Sequence, residues 1–226
     1  MTTKDMYTEI PDPYSMQMPS GGDARFTWEY DEGRARLLSL YQKGKDKQWD
    51  GQSRIDWSQD VDPTNPIGLP DEFVPLFGSP AWEAADDKGR ALMRQHFQSW
   101  QFSQFLHGEQ GAMVCAAKIV EVVPDLDAKF YAATQTMDEA RHVETFSRFL
   151  QEKVGLVYPV NKNLSVLLED TLRDSRWDMP YLGMQVLIEG LALAAFGVLR
   201  DMAPPDSLAK QLLAYVMQDE ARHVAF

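Results

Sequence analysis

The chain has 226 residues, a formal net charge of −12 and a pI near 4.7. This charge repels phosphate backbones and argues against a nucleic-acid partner. Hydrophobic residues make up 44% of the chain and aromatic residues 11%, which is enough apolar surface for one sizeable folded core. The single cysteine, Cys115, excludes an internal disulfide and predicts a cytoplasmic location.

The chain begins with two segments that precede the predicted core. Residues 1–24 are rich in proline and glycine and are predicted to form an extended arm, with a disordered tail as the alternative. The start of the chain lacks the apolar stretch of a signal peptide. Residues 25–85 are predicted to form a helix, from Glu32 to about Gln48, and then a loop. Large apolar side chains in a loop must pack on something. We therefore expect the loop to cover the core through Trp49, Trp57, Phe73 and Phe77.

Residues 86–226 are predicted to form four long helices. Prolines at positions 124, 204 and 205 separate the helices of each pair, and a crossover joins the two pairs. The helices are predicted at 86–123, 125–153, 179–202 and from 206 onward, with a short crossover helix at 164–173. Gln185 and Glu189 interrupt the most apolar run, so no membrane span is predicted. Because His223 lies so near the last residue, we expect the natural protein to continue.

One six-residue string occurs twice. Residues 138–143 and 219–224 both read Asp-Glu-Ala-Arg-His-Val. Residues three apart lie on the same face of an α-helix, so Glu139 and His142 can offer a carboxylate and an imidazole to one point, as can Glu220 and His223. A single pair of this kind is usually an ordinary surface pair, but the repeat indicates two halves of a metal site.

Two further acids, Glu109 and Glu189, lie within mostly apolar helical runs. A lone carboxylate buried there would cost several kcal/mol. Glu109 precedes Glu139 by 30 residues and Glu189 precedes Glu220 by 31, with prolines at both midpoints. Each pair therefore predicts an antiparallel hairpin that places both carboxylates at one level, roughly 20 Å from the turn. Gly108 and Gly111 beside Glu109 favour either a π-bulge or close packing.

The six residues together predict a site for two metal ions. One Glu from each of two helices and one Glu-x-x-His from each of the other two is the ligand pattern of di-iron and di-manganese four-helix bundles. Four carboxylates and two neutral imidazoles carry four negative charges, which two divalent ions cancel. The predicted ligands are Glu109, Glu139, His142, Glu189, Glu220 and His223.

This pattern resembles the ferritin-like di-iron superfamily over residues 86–226. Its members include ribonucleotide reductase small subunits, multicomponent monooxygenases, acyl-carrier-protein desaturases and arylamine N-oxygenases. The resemblance implies an all-α, ferritin-like four-helix bundle with a crossover connection and an N-terminal extension. It implies two iron ions, or manganese with iron, as cofactors. It also implies an O₂-activating oxidase or monooxygenase, with O₂, a small organic substrate, and a reductase or ferredoxin as electron donor. A homodimer is a further expectation, and no membrane partner is expected.

The resemblance also assigns roles within the repeated string. It implies that Asp138 orients His223 and that Asp219 orients His142, because a ligating imidazole usually donates its other N–H to a carboxylate. Arg141 and Arg222 would then neutralise these aspartates. Glu139 and Glu189 are the carboxylates expected to bridge the ions or to shift during turnover.

Residues that mark individual activities in the superfamily are replaced here. Phe146 stands where reductase subunits carry a radical tyrosine, and Leu193 and Ala192 stand where monooxygenases and desaturases carry threonine. Val216 stands where N-oxygenases carry an added histidine. The sequence therefore leaves hydroxylation, N-oxygenation and desaturation open.

Residues about one turn from the ligands are predicted to line the substrate pocket, although core packing explains them equally well. Most are apolar, which predicts an apolar or aromatic substrate. They are Phe105, Ala112, Met113, Gln135, Gln185, Leu193, Phe196 and Val216. Two other functions stay open: a ferroxidase or iron-storage protein, which residues 25–85 disfavour, and a catalytically silent bundle.

Overall fold

The computed structural model describes residues 17–30 and 33–226, and these residues form helices and loops but no β-strand. The prediction of an all-α fold is therefore confirmed. Residues 1–16 of the predicted arm lie outside the described residues, and residues 17–24 have no regular secondary structure.

Eight α-helices follow along the described chain. Two precede the bundle, α1 (Ala35–Asp46) and α2 (Pro80–Ala84), with a 3₁₀ turn at Asp71–Phe73 between them. The four bundle helices are α3 (Asp87–Val122), α4 (Leu126–Arg148), α7 (Glu189–Met202) and α8 (Leu208–His223). The crossover holds α5 (Lys162–Arg173) and α6 (Asp178–Tyr181). Two π-helical segments extend this set: Phe149–Val154 continues α4, and Leu182–Ile188 joins α6 to α7.

Short polar side chains fix where the bundle helices begin. The Asp86 carboxylate accepts a hydrogen bond from the Gly89 N–H at 2.8 Å, and Asp125 accepts one from Ala128 at 2.9 Å. Such caps satisfy backbone donors that the first helical turn leaves unpaired. The last helix is capped by Ser207, so it begins slightly later than predicted.

The bundle encloses one apolar core. Helix α3 packs along α4 and α7 packs along α8, as the hairpin prediction requires. Phe102, Phe146, Phe196 and Leu213, one from each helix, are at most 1% exposed and belong to one cluster.

The loop after α1 packs on this core through a subset of its large side chains. Ile55, Trp57 and Ile67 belong to the same cluster, and Trp49 packs against it. The covering role predicted for the loop agrees with these contacts. Phe73 and Phe77 were also expected to pack on the core, but each is more than two-fifths exposed.

The two glycines beside Glu109 do not distort their helix. Helix α3 is a regular α-helix through both positions, and the π-helical segments lie elsewhere. A Cβ atom at Gly111 would lie 2.4 Å from Leu168 Cδ2. Gly111 therefore permits the close approach of α5 to α3, and a π-bulge at this point is excluded.

The helical rod Asp178–Met202 is the most apolar part of the described chain. By length and composition alone, it is long and apolar enough to cross a membrane. Core helices of soluble proteins can have the same length and apolar composition. In this protein, the segment Asp178–Met202 places the buried side chains of Glu189 and Phe196 inside the bundle. Leu187 and Leu191 on its other face are exposed.

Cys115 offers a first test of the core. The residue is fully buried against Leu168, Leu172 and Met184, and burial raises the pKa of its thiol to about 12. Because the thiolate is the reactive form, we expect an aromatic disulfide reagent at pH 8 to label native protein at the rate of unfolding. Labelling should be immediate in guanidinium chloride. Fast labelling of the native protein would contradict this packing.

Candidate metal centre

The structure brings all six predicted ligands to one place inside the bundle. Helix α3 supplies Glu109, α7 supplies Glu189, and the other four residues come in pairs from α4 and α8. None of the six is more than 5% exposed. The i, i+3 spacing puts each Glu and its His on one inward face, and the hairpins bring the helices to the same level.

One half of the centre is built around His142. Its Nδ1 atom lies 3.1 Å from Glu109 Oε2, 3.2 Å from Glu139 Oε2 and 3.1 Å from Glu220 Oε1. These four residues can each offer one atom to a metal ion, since the atoms lie within 4.8 Å of one another.

The other half repeats this arrangement around His223. Its Nδ1 atom lies 3.1 Å from Glu139 Oε1, 3.5 Å from Glu220 Oε2 and 3.9 Å from Glu189 Oε2. Glu139, Glu189, Glu220 and His223 form a second group whose ligand atoms lie within 4.8 Å of one another.

The two groups share Glu139 and Glu220, and each of these carboxylates turns one oxygen toward each imidazole. A carboxylate so placed is suited to bridge two ions. Glu189 belongs to one group only. The geometry therefore favours Glu139 and Glu220 as bridging residues, whereas the resemblance suggested Glu139 and Glu189.

The contacts inside the centre suit metal ligands better than hydrogen-bond partners. His223 Nδ1 has carboxylate oxygens nearby, yet none is placed to form a hydrogen bond with it. Glu189 Oε2 and Glu220 Oε1 are also buried without a hydrogen-bond partner. Buried polar atoms are rarely left unpaired, so three unpaired atoms that converge on one point fit a bound cation. The residues present therefore fit a pair of metal ions.

The charges in the centre also favour bound cations. Burial raises the pKa of Glu109, and the Glu220 carboxylate raises it further; burial likewise raises the pKa of Glu189. Burial also opposes ionisation of Glu139, but the charge of His223 and a hydrogen bond with His142 outweigh it and lower that pKa. Four carboxylates held this close need compensating positive charge, which divalent cations supply.

The aspartates of the repeated string cross the bundle. Asp219 Oδ2 lies 3.1 Å from His142 Nε2, and Asp138 Oδ2 lies 3.3 Å from His223 Nε2. Each imidazole therefore turns Nδ1 toward the centre and Nε2 toward the aspartate of the opposite helix. Arg141 donates to Asp138 and, at 2.8 Å, to Asp219, while Arg222 contacts the same two carboxylates. The structure thus contains the arrangement that the resemblance implied.

Two residues after α1, Gln48 and Trp49, complete this network, and no sequence motif indicated their role. The Gln48 amide donates to Asp138 Oδ1 at 2.8 Å and accepts from Arg141 Nη1 at 2.6 Å. The Trp49 indole N–H donates to Asp219 Oδ2 at 2.8 Å. Trp49 is therefore more than the packing residue we expected. No local pattern predicts these contacts, because they depend on where α1 ends against α4.

Gln135 also contacts two of the predicted ligands, and Gln185 contacts Gln135. The Gln135 amide donates to Glu189 Oε1 at 2.7 Å and to Glu139 Oε1 at 3.1 Å, and it accepts from Gln185. Both glutamines were predicted to line the substrate pocket. They lie instead among buried polar groups, where Gln135 orients the carboxylates of Glu139 and Glu189 and Gln185 holds the Gln135 amide.

A cavity of about 230 Å³ adjoins the centre between α3, α7 and the start of α5. Three of the predicted ligands, Glu109, Glu189 and Glu220, form part of its wall. The centre is thus accessible from one apolar space.

Three of the eight predicted pocket residues line this cavity: Phe105, Ala112 and Phe196. Gln135, Gln185, Met113, Leu193 and Val216 do not, and Val216 belongs to the apolar core. One turn along a helix rotates a side chain only approximately back to the same face, so spacing alone selected too many residues. The lining residues that sequence reasoning missed are Gln104, Gly108, Asn161, Leu164, Met184, Ile188 and Ala192. Asn161 and Leu164 come from the crossover, whose position no motif predicts.

These features together define a ferritin-like helical bundle with a buried cluster of carboxylates and imidazoles that could hold two metal ions. The comparison with solved structures agrees with this fold. The chain is similar to an R2-like ligand-binding oxidase from Sulfolobus acidocaldarius, solved by micro-crystal electron diffraction, with a TM-score of 0.57 and 16% sequence identity. The match covers 88% of this chain and 71% of that one. No protein-family model matches the chain, and no curated protein matches it by sequence.

Proposed function

We propose that this protein is a di-iron oxidoreductase that activates O₂ and oxidises a small, mostly apolar organic molecule. The observation that carries the proposal is a pair of four-residue ligand groups that share two carboxylates and open onto one apolar cavity. A storage or structural metal site has no need of such a cavity.

The donor set favours iron, or manganese with iron, over zinc. Four carboxylates and two imidazoles form a hard, oxygen-rich set of the kind that suits these ions. When bound at Glu109, Glu139, His142, Glu189, Glu220 and His223, a pair of iron ions supplies the electrons that reduce O₂. The similarity in fold to a protein named an R2-like ligand-binding oxidase supports the same class of chemistry.

The residues of the chain would prepare the site for this chemistry. Asp138 and Asp219 keep Nδ1 of each imidazole directed at the centre, and the two arginines balance the aspartate charges. Phe105, Ile188 and Phe196 line the cavity with apolar surface and limit access of water. A substrate in this space would lie beside Glu109, Glu189 and Glu220. We also propose an external electron donor, since repeated turnover needs the ions to be reduced again.

The test is to load the purified protein with ferrous iron under argon and then admit O₂. We expect uptake of two iron ions per chain, consumption of O₂ with a reductant such as dithionite-reduced ferredoxin, and a mass increase or hydrogen loss in an added aromatic probe. Uptake of zinc alone would contradict the proposal. Oxidation of many iron ions per chain with growth of a ferric core would identify the protein as a ferroxidase.

A further inference from the structure

The cavity wall contributed by α3 is a single stripe with a glycine at its centre. Gln104, Phe105, Gly108, Glu109 and Ala112 all line the cavity, and their spacing places them on one face of the helix. Gly108 directly precedes the predicted ligand Glu109. Whatever residue stands at position 108 therefore determines how much space remains beside that carboxylate.

Packing does not explain this glycine. A Cβ atom at Gly108 would meet no other atom within 4 Å, whereas one at Gly111 would collide with Leu168. Glycine is also the least favourable residue in a helix interior after proline. The chain therefore carries a locally destabilising residue at a position where alanine would fit, and the space kept free lies in the cavity.

The volume and the lining of the cavity suit a small apolar occupant. Apolar cavities of about 150 Å³ bind benzene, so the observed volume of about 230 Å³ accommodates one substituted ring. Two amides in the wall are already satisfied: Gln104 accepts from the Asn161 backbone and side chain and donates to the Pro159 carbonyl at 3.0 Å. Apart from the three ligand carboxylates, no charged side chain among the described residues lines the cavity.

We propose that Gly108 is a specificity-determining residue that keeps this cavity open for a neutral apolar substrate of about one aromatic ring. This inference rests on the proposed function, because it names the class of substrate that the same centre would oxidise. It predicts that larger side chains at position 108 exclude the substrate without disturbing the fold.

The experiment measures toluene binding by headspace gas chromatography, on protein as purified and on protein loaded anaerobically with ferrous iron. Gly108→Leu should weaken toluene binding at least tenfold. Gly108→Ala should raise the Tm by about 2–4 °C, because it removes a helical glycine without a clash. Gly190→Leu is the matched control: Gly190 is also helical, adjoins a predicted ligand and has no atom within 4 Å of its Cβ position, but it does not line the cavity.

Each result bears on the inference separately from the proposed function. Three results would overturn the role of Gly108. The first is equal toluene binding by wild type and Gly108→Leu, and the second is an equal loss of toluene binding in Gly108→Leu and Gly190→Leu. The third is a lower Tm for Gly108→Ala than for wild type. Wild-type protein that binds toluene but takes up no iron would leave the role of Gly108 intact and contradict the di-iron proposal.

Discussion

Replacing Glu139 by glutamine is expected to abolish binding of both metal ions. Glu139 belongs to both ligand groups, with Oε2 near His142 and Oε1 near His223. An amide keeps the shape of the side chain but cannot supply two anionic oxygens. We expect affinity for each ion to fall more than about 100-fold, beyond the effect of losing a residue that only supports a ligand. Elemental analysis after gel filtration of loaded protein measures the remaining ions.

Two further variants make this result specific. Glu109 and Glu189 each belong to one group only, so Glu109→Gln and Glu189→Gln should each retain one ion per chain. Circular dichroism should show that all three variants remain helical. Complete loss of metal from Glu189→Gln, with one ion retained by Glu139→Gln, would show that Glu189 bridges the ions and that our assignment is wrong.

Replacing Asp219 by alanine is expected to damage both folding and metal binding. This carboxylate is 1% exposed and accepts from Trp49, Arg141 and His142, and also contacts Arg222. Its removal leaves the guanidinium groups of Arg141 and Arg222 with one carboxylate, Asp138, so one positive charge in the network is uncompensated. Breaking a buried ion pair in this way costs about 3–5 kcal/mol in the free energy of unfolding. It also frees the His142 ring, so metal affinity should fall about 10–100-fold.

Urea denaturation and competition with a chelator measure these two losses. The control is Asp201→Ala, which removes an exposed carboxylate paired at 2.7 Å with Arg200 and should change the free energy of unfolding by less than about 1 kcal/mol. Asp219→Asn should recover part of the metal affinity, because its amide oxygen can still accept from the imidazole. Equal behaviour of Asp219→Ala and Asp201→Ala would show that the buried network does not support the centre.

The features predicted successfully are those with local causes. Helix ends follow from prolines and short polar caps, which act within one turn of chain. The Glu-x-x-His pairs share a face because helical geometry requires it. The prediction that Glu109 faces Glu139 needed only the midpoint proline and an equal number of residues from the turn to each glutamate. The structure brings all six side chains together, and their binding of metal remains the prediction that the Glu139 variants test.

The features that were not predicted depend on the rotation of each helix about its axis and on where distant segments of the chain pack. Gln48 and Trp49 reach the aspartates only because α1 packs on α4. Gln135 points at Glu189 and not into the cavity, although its spacing from Glu139 allowed either direction. Phe73 was expected to anchor the covering loop, but it is 43% exposed.

The helical class, the hairpin lengths and the six inward-facing ligand candidates can be predicted from the chain alone, because periodicity and chain-breaking residues operate over a few positions. Three further features depend on the folded arrangement: which carboxylates lie between the two imidazoles, which donors hold the aspartates, and where an apolar space remains beside Glu109. These properties depend on helix rotation and on side chains brought together from distant parts of the chain. Packing between whole elements sets both, and no single stretch of sequence contains that information.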